Sequence, residues 1–376
     1  MVKLYTLLLF ALLCTALNAQ MVETIISHPE LRDGLHVDAQ GNIYTSSGGF
    51  AGFEVGKYDI QEQTFEPNFA TGFFGPVDVD QYRDSLLIVT NYDNNTVSSH
   101  NLNTGQNTII ADGLDGPSGI AIDAQENIFV ASWGNAPNYA GQEIHRIHPN
   151  GTVTDYINSP LLYRPQAMTF GLDGTLVVNS NGTLYRVNAA DSTLQYWINL
   201  GENTGHMVFR QADSCIYATA GNRILKITPD GDFSVFAGSS EGYQDGPLED
   251  ARFRGLLGIH FSPSEDTLYV CDSGYGGAMG RLRRITMNMP VSTQQIDDKK
   301  DILIFPNPAR QHFSIVTNDN HSSSLEIIDQ LGRLVYVKND FEHRIEIDSS
   351  LFPDGLYTIR INHPTGLLTK MLTIQQ

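Results

Sequence analysis

Three histidines sit at comparable places in a phrase that this chain repeats: His36, His206 and His260 each lie in or beside a short apolar run, and Asp272 follows a second such run. Imidazole nitrogens with carboxylates nearby are the ligand types that hold Zn, and carboxylate or amide oxygens hold Ca. His36, His206, His260 and Asp272 are therefore the candidate set for a divalent metal. Asp78, Asp80, Ser118, Gln166 and Thr169 occupy matching positions in other copies of the phrase. His36, Asp78, Ser118, Gln166, His206 and His260 make up the candidate ligand-binding ring. His36 and His260 align with Ala121, while His206 aligns closer to Gly119. The ligands come from separate copies, so spacing alone leaves their depths open, and a His taken alone is more often a packed or turn residue.

Other chemistry-bearing residues have structural readings beside the functional one. Asp93-Asn94-Asn95 and Asn135 could offer oxygens to calcium, yet Asn and Asp are also what a turn between strands requires. Tyr92, Trp133, Tyr139 and Tyr163 could stack on a sugar or peptide, or pack between sheets. The sequence has no Gly-rich phosphate loop leading from strand to helix and no Gly-x-Ser-x-Gly elbow, which argues against nucleotide binding and serine hydrolysis.

The elements that must position these residues come from a phrase that returns six times: a turn with Gly or Pro, a short apolar strand, a polar turn, and a second strand ending near a small or polar residue. It is clearest in Gly116-Pro117-Ser118-Gly119-Ile120-Ala121-Ile122-Asp123 followed by Asn127-Ile128-Phe129-Val130-Ala131-Ser132. Innermost strands are expected near 35–37, 77–79, 120–122, 168–170, 207–209 and 259–261, with second strands near 42–45, 87–90, 128–131, 175–178, 216–219 and 268–271. Third strands are expected near 57–60, 97–102, 143–148, 184–188, 223–227 and 282–286, and outer strands near 65–69, 107–111, 152–157, 194–199 and 232–237. No outer strand follows Thr286, but residues 23–27 have the same character. The N-terminal segment is thus expected to complete the last sheet and leave no long unpaired edge. The expected fold is all-β, a six-bladed β-propeller over residues 20–286.

Composition agrees. Hydrophobic residues make up 41% and charged residues 17% of 376, with 34 Gly and 16 Pro, which suits many short strands and tight turns. A formal charge of −19 repels phosphate backbones and anionic lipid, so nucleic acid and bare membrane are excluded as natural partners.

Residues 1–19 read as a signal peptide, with Lys3 as the positive start, an apolar run from Leu7 to Leu17, and Ala19 before the cleavage point at Gln20. The run is too short to span a bilayer, and no other segment of the mature chain reads as transmembrane. Cys14 could mark a lipoprotein, but Leu13 before it and its early position argue otherwise. Cys215 and Cys271 fall in the second strands of two successive repeats, at opposite ends of the phrase. That is a poor geometry for a disulfide, so two buried thiols are expected.

Asp245-Gly246-Pro247, Ala251-Arg252-Phe253, Gly258-Ile259, residues 268–272 and Leu282-Arg283-Arg284-Ile285 together resemble an NHL repeat, and Asp115-Gly116-Pro117-Ser118-Gly119-Ile120 resembles it nearly as well. The resemblance spans roughly residues 22–286. It implies a six-bladed propeller related in shape to the gluconolactonase and paraoxonase families, and no single activity. Calcium-dependent lactonases of that shape would place an Asp where Asp272 stands. Their Asn before a Gly is replaced here by Ser118 before Gly119, and their opening Glu is not found at Asp33-Gly34.

The last part of the chain has different patterning. Residues 287–300 lack strand alternation and read as a linker. Residues 301–376 alternate as a small Ig-like antiparallel β-sandwich, with turns at Gly332-Arg333 and Asp354-Gly355. Phe305-Pro306-Asn307-Pro308-Ala309, Ile328-Asp329-Gln330-Leu331-Gly332-Arg333, residues 351–357 and Thr369-Lys370-Met371-Leu372-Thr373-Ile374 resemble the type A sorting domain of the type IX secretion system. Pro306, Asn307, Pro308, Gly332, Gly355 and Lys370 carry that resemblance. It implies a Bacteroidetes-type bacterium, the type IX secretion machinery as partner, and delivery to the outer cell surface or the medium. The function expected is a binding platform for a peptide, glycan or small molecule at the channel mouth. The alternative is a metal-dependent lactonase-like hydrolase or lyase.

Overall fold

The structure, a computed structural model, describes residues 20–49, 52–171, 173–274, 279–287, 302–305, 309–317, 323–329, 333–341, 344–363 and 366–375. The expected signal peptide and all of the expected linker but Met287 lie outside these residues, as do Pro306, Asn307, Pro308 and Gly332. The chain forms two compact units, residues 1–290 and 291–376.

Among the described residues the first unit contains six antiparallel sheets, and in five of them only consecutive strands pair. The first sheet is Leu35–Val37, Ile43–Ser46, Glu54–Asp59 and Thr64–Thr71. The second is Pro76–Tyr82, Leu86–Asn91, Thr96–Asn101 and Asn107–Ala111; the third is Pro117–Ile122, Ile128–Ser132, Glu143–Ile147 and Val153–Asn158. The fourth is Met168–Phe170, Leu176–Ser180, Thr183–Asn188 and Thr193–Asn199; the fifth is Met207–Arg210, Cys215–Ala220, Arg223–Ile227 and Phe233–Ala237. The last sheet is built from both ends of the unit. Leu256–Phe261, Thr267–Asp272 and Gly280–Thr286 are joined by the N-terminal strand Met21–His28, with the short Gly246–Pro247 at its edge. The expected N-terminal outer strand is therefore present: Val22 lies opposite Ile285 and His28 opposite Gly280.

The sequence phrase has a physical reading at each point. Second strands such as Ile43–Ser46, Ile128–Ser132 and Cys215–Ala220 are buried residue by residue, because sheets cover both of their faces. Outer strands such as Thr64–Thr71 alternate, with one face toward water. The polar turn is an Asx turn: the Asp38 carboxylate accepts from the Gln40 and Asn42 amides, and Asp123 does the same for Gln125 and Asn127. The hydroxyl near the end of the second strand reaches the neighbouring sheet. Ser46 donates to the Val77 carbonyl at 2.8 Å, Thr90 to Ser118 at 2.6 Å and Thr219 to Leu257 at 2.6 Å. Apolar side chains fill the space between sheets, as where Val97 and Ala111 of the second meet Ile120, Val130 and Ile147 of the third.

Cys215 and Cys271 are buried free thiols, as expected. Met287, expected to begin a linker, is instead buried in the apolar cluster of the last sheet, and its amide donates to Asp266. Among the described residues no helix is long and apolar enough to cross a membrane.

The second unit holds two sheets among the described residues. One is Ile302–Phe305, His312–Thr317 and Arg344–Asp348. The other is, in order, Leu334–Phe341, Ser323–Asp329, Gly355–His363 and Gly366–Ile374. Both contribute to one apolar cluster that includes Phe313, Ile347, Ile327, Ile359 and Leu372. Gly355 opens its strand, and Lys370 lies opposite Ile359.

Candidate functional site

A cavity of about 510 Å³ opens on the first unit, lined by residues that include Arg32, Asp33, Tyr92, Trp133, Tyr139 and Gln166. Loops leading into innermost strands supply Asp33 and Gln166, and loops after second strands supply Trp133 and Tyr139. Such loops are free to vary while the strands hold their ends in place.

Beside the cavity lies a buried charge cluster. The His206 Nε2 is 3.2 Å from Asp33 Oδ1 and its Nδ1 is 3.6 Å from Asp78 Oδ1. Each group is fixed by backbone. The His206 amide donates to Thr219 Oγ1, the Asp78 amide donates to Thr90 Oγ1, and Asp78 Oδ2 accepts from the Ile120 amide at 2.8 Å. Asp33 is held by its amide donating to Ser46 and its carbonyl accepting from Gly258. Burial alone would lower the His206 pKa, but the charges of Asp78 and Asp33 outweigh it and raise it to about 10. His206 is consequently an imidazolium at neutral pH. Burial pushes the Asp33 pKa up, and the hydrogen bond from His206 pulls against it.

A second cluster lies along the same strand as Asp78. His36 Nδ1 is 2.8 Å from Asp80 Oδ1, and the His36 and His260 rings stand 4.7 Å apart. The Nδ1 of His260 lies 2.8 Å from the carbonyl oxygen of Phe261. Burial, then the neighbouring His36, lowers the His260 pKa to about 4, so this ring is neutral at pH 7. Neither His36, Asp80 nor His260 lines the cavity.

The expected ring is thus divided. Gln166 reaches His206, with its Nε2 3.5 Å from the ring Nε2. Asp78 joins the same cluster, and His36 and His260 form the other one. Thr169 lies in Met168–Phe170, away from the cavity lining. Ser118 does line the cavity, but its hydroxyl is directed at the Ala131 and Pro165 carbonyls, 3.1 and 3.0 Å away, and acts as a staple between sheets.

The candidate metal set of His36, His206, His260 and Asp272 does not converge. Asp272 is fully buried 3.2 Å from the Arg283 guanidinium and also accepts from the Arg254 amide. A guanidinium held against a carboxylate takes the place a metal cation would need. His206 stands between Asp33 and Asp78, with its two ring nitrogens turned to their carboxylates, apart from His36 and His260. Among the described residues no group of three or more His, Cys, Asp or Glu is arranged to hold an ion. The residues present therefore do not fit the expected Ca or Zn. Asp93 and Asn94 lie in the short helical turn Tyr92–Asn94, while Asn95 and Asn135 bond each other at 2.9 Å.

Sequence reasoning left Asp33 out of the candidate sites, noting only that the opening Glu of the lactonase families is not found there. A signal was present: Asp33-Gly34-Leu35 matches Ser118-Gly119-Ile120, the residue before a Gly that enters an innermost strand. Nothing local shows its pairing with His206, which lies 173 residues away.

Comparison with known proteins bears on both units. Residues 303–375 match the family described as secretion system C-terminal sorting domain. No curated protein matches the chain. Among solved structures, a gluconolactonase from Xanthomonas campestris is 11% identical, with a TM-score of 0.56 over 71% of this chain and 89% of its own. An auxiliary nutrient binding protein from Bacteroides thetaiotaomicron is 16% identical, with a TM-score of 0.55 over 71% of this chain and 76% of its own. Virginiamycin B lyase from Staphylococcus aureus is 13% identical, with a TM-score of 0.51 over 72% of this chain and 99% of its own. At these identities the likeness is one of fold. The chain thus has the blade-like sheets of the gluconolactonase-like and NHL-like propellers, and it ends in a C-terminal sorting domain that sends it by type IX secretion to the cell surface or the medium.

Proposed function

We propose that the mature protein is an exported six-bladed, NHL-like propeller that serves as a binding platform, with its ligand in the cavity at the channel mouth. In this reading residues 1–19 are removed as a signal peptide, residues 20–286 form the propeller, 287–300 link it to the tail, and 301–376 fold as an Ig-like sorting sandwich in a Bacteroidetes-type cell.

One observation carries the reading: a cavity of about 510 Å³, lined by Tyr92, Trp133, Tyr139, Gln166 and a buried carboxylate, sits within the size range of small-molecule sites. The carboxylates beside it are held by a built-in cation and are not presented as a set of metal ligands. The lactonase-like alternative is not favoured, because His36, His206, His260 and Asp272 do not converge.

The test pairs binding with turnover on the full mature chain. It is incubated with a panel of lactones and esters, with and without added calcium, while ligand binding is followed by thermal shift. Binding that Trp133→Ala abolishes, without turnover, is the expected result. Calcium-dependent hydrolysis lost on Asp272→Asn would replace the platform with the enzyme.

A further inference from the structure

We propose that the channel-mouth cavity takes a neutral, hydroxyl-rich ring compound, a pyranoside or short oligosaccharide; this rests on the cavity being the ligand site, as read above.

The first observation is an unused oxygen. Asp33 is nine-tenths buried and lines the cavity. Its Oδ1 is engaged by His206, whereas its Oδ2 has no hydrogen-bond partner among the described residues. Asp33 lines the cavity and its Oδ2 is not fully enclosed by protein, so that oxygen is open to a ligand that donates.

The second is the orientation of Gln166. Its amide group lies 3.5 Å from the His206 Nε2, a nitrogen that carries a proton when the ring is charged between two carboxylates. Amide oxygen and nitrogen are assigned from the bonds they make, and two donors do not face each other. Gln166 therefore turns its oxygen to the ring and its NH2 away from it. Asp33 and Gln166 both line the cavity, which gives it an acceptor and a donor. A group that can donate to the first and accept from the second is a hydroxyl. A carbonyl cannot donate, and an ammonium cannot accept.

The third is the wall. Tyr92, Trp133 and Tyr139 line the cavity, and the Tyr92 hydroxyl donates to the Gly134 carbonyl at 2.8 Å, which fixes that ring. Arg164 already lies 5.7 Å from the Trp133 ring and 5.9 Å from that of Tyr139, and its Nε donates to the Tyr139 carbonyl. A guanidinium on these aromatic faces repels a second cation, which disfavours ammonium ligands. Aromatic side chains together with a donor and an acceptor in one cavity match a sugar ring, whose C–H face is apolar and whose edge carries hydroxyls.

The full mature chain is applied to an array of neutral oligosaccharides, amino sugars and short peptides, and the best binder is followed by titration calorimetry. The expected result is binding to a neutral glycan, weakened at least tenfold by Asp33→Asn and by Gln166→Ala. Should Asp33→Asn fail to fold, Gln166→Ala and Trp133→Ala carry the test, since both side chains are only half-buried. Preference for an amino sugar or a peptide, lost in Trp133→Ala, overturns the ligand class while the platform reading stands. Glycan binding that Gln166→Ala and Trp133→Ala leave unchanged overturns both, as does failure of every probe to bind.

Discussion

Asp272 and Arg283 lie on neighbouring strands of the last sheet with their charged groups 3.2 Å apart, and both are withdrawn from water. Arg283 also donates to the Arg252 and Gln244 carbonyls and to Asp245, and its guanidinium lies 4.4 Å from the Phe253 ring. Replacing Arg283 by Met strands a buried carboxylate and two carbonyls. Loss of one partner from a buried pair costs about 3–5 kcal/mol, so the urea midpoint of Arg283→Met should fall steeply. Asp272→Asn, which keeps an acceptor, should fall less.

Asp245 extends that network to the N-terminal strand, accepting at 2.9 Å from both the amide and the hydroxyl of Thr24. Deleting residues 20–30 removes the strand that pairs with Gly280–Thr286 and leaves an open edge. The deletion should abolish the cooperative thermal transition; an unchanged transition would show that the strand does not close the fold.

The two histidine clusters give stability opposite dependences on pH. His206 has a pKa raised to about 10, so its contribution is complete below about 6.5 and is lost as pH climbs through 10. His260 has a pKa lowered to about 4, so folding is penalised as pH falls from about 6.5 toward 4. Each proton sets a limiting slope of about 1.4 kcal/mol per pH unit. Denaturant titrations between pH 4 and 10 should show a maximum near neutrality. His206→Asn should flatten the alkaline limb, and His260→Asn the acid one.

Gly119 decides where Gln166 can sit. A Cβ on Gly119 would lie 1.7 Å from the Gln166 carbonyl oxygen, a distance no rotamer change relieves because the obstacle is backbone. Gly119→Ala should force the third and fourth sheets apart. The expected loss is about 1–3 kcal/mol, as for overpacking, together with loss of cavity binding, both read by thermal shift.

The tail should work alone. Fused to a soluble reporter behind an inner-membrane export signal, residues 291–376 should carry it to the surface or medium of a cell with type IX machinery. Accumulation of the fusion in the periplasm would go against a sorting role.

Much of this arrangement was legible before any coordinates. Strands show in the sequence because alternation and turn chemistry are local: Asp123 and Asn127 mark a turn whether or not a neighbouring sheet is known. Even the borrowed N-terminal strand could be read, since one outer strand was wanting after Thr286 and residues 23–27 had its pattern. The site was legible only in part. His206 was found because histidine stands out at a channel position, but its charge depends on Asp33 and Asp78, which two other sheets bring to it. Asp272 illustrates the reverse error. A carboxylate after a second strand has the right chemistry for a cation, and nothing local reveals that the cation is Arg283.

The pairing of Met21–His28 with Gly280–Thr286 also sets an order of events. Residues 21–28 meet their main partner only when residues 280–286 of the same unit have been made, and loop closure over such a span is slow. Until then the last sheet is incomplete and the unit is not latched. The sorting tail follows the latching strand almost at once, so the address for the outer membrane is synthesised only when the cargo can shut.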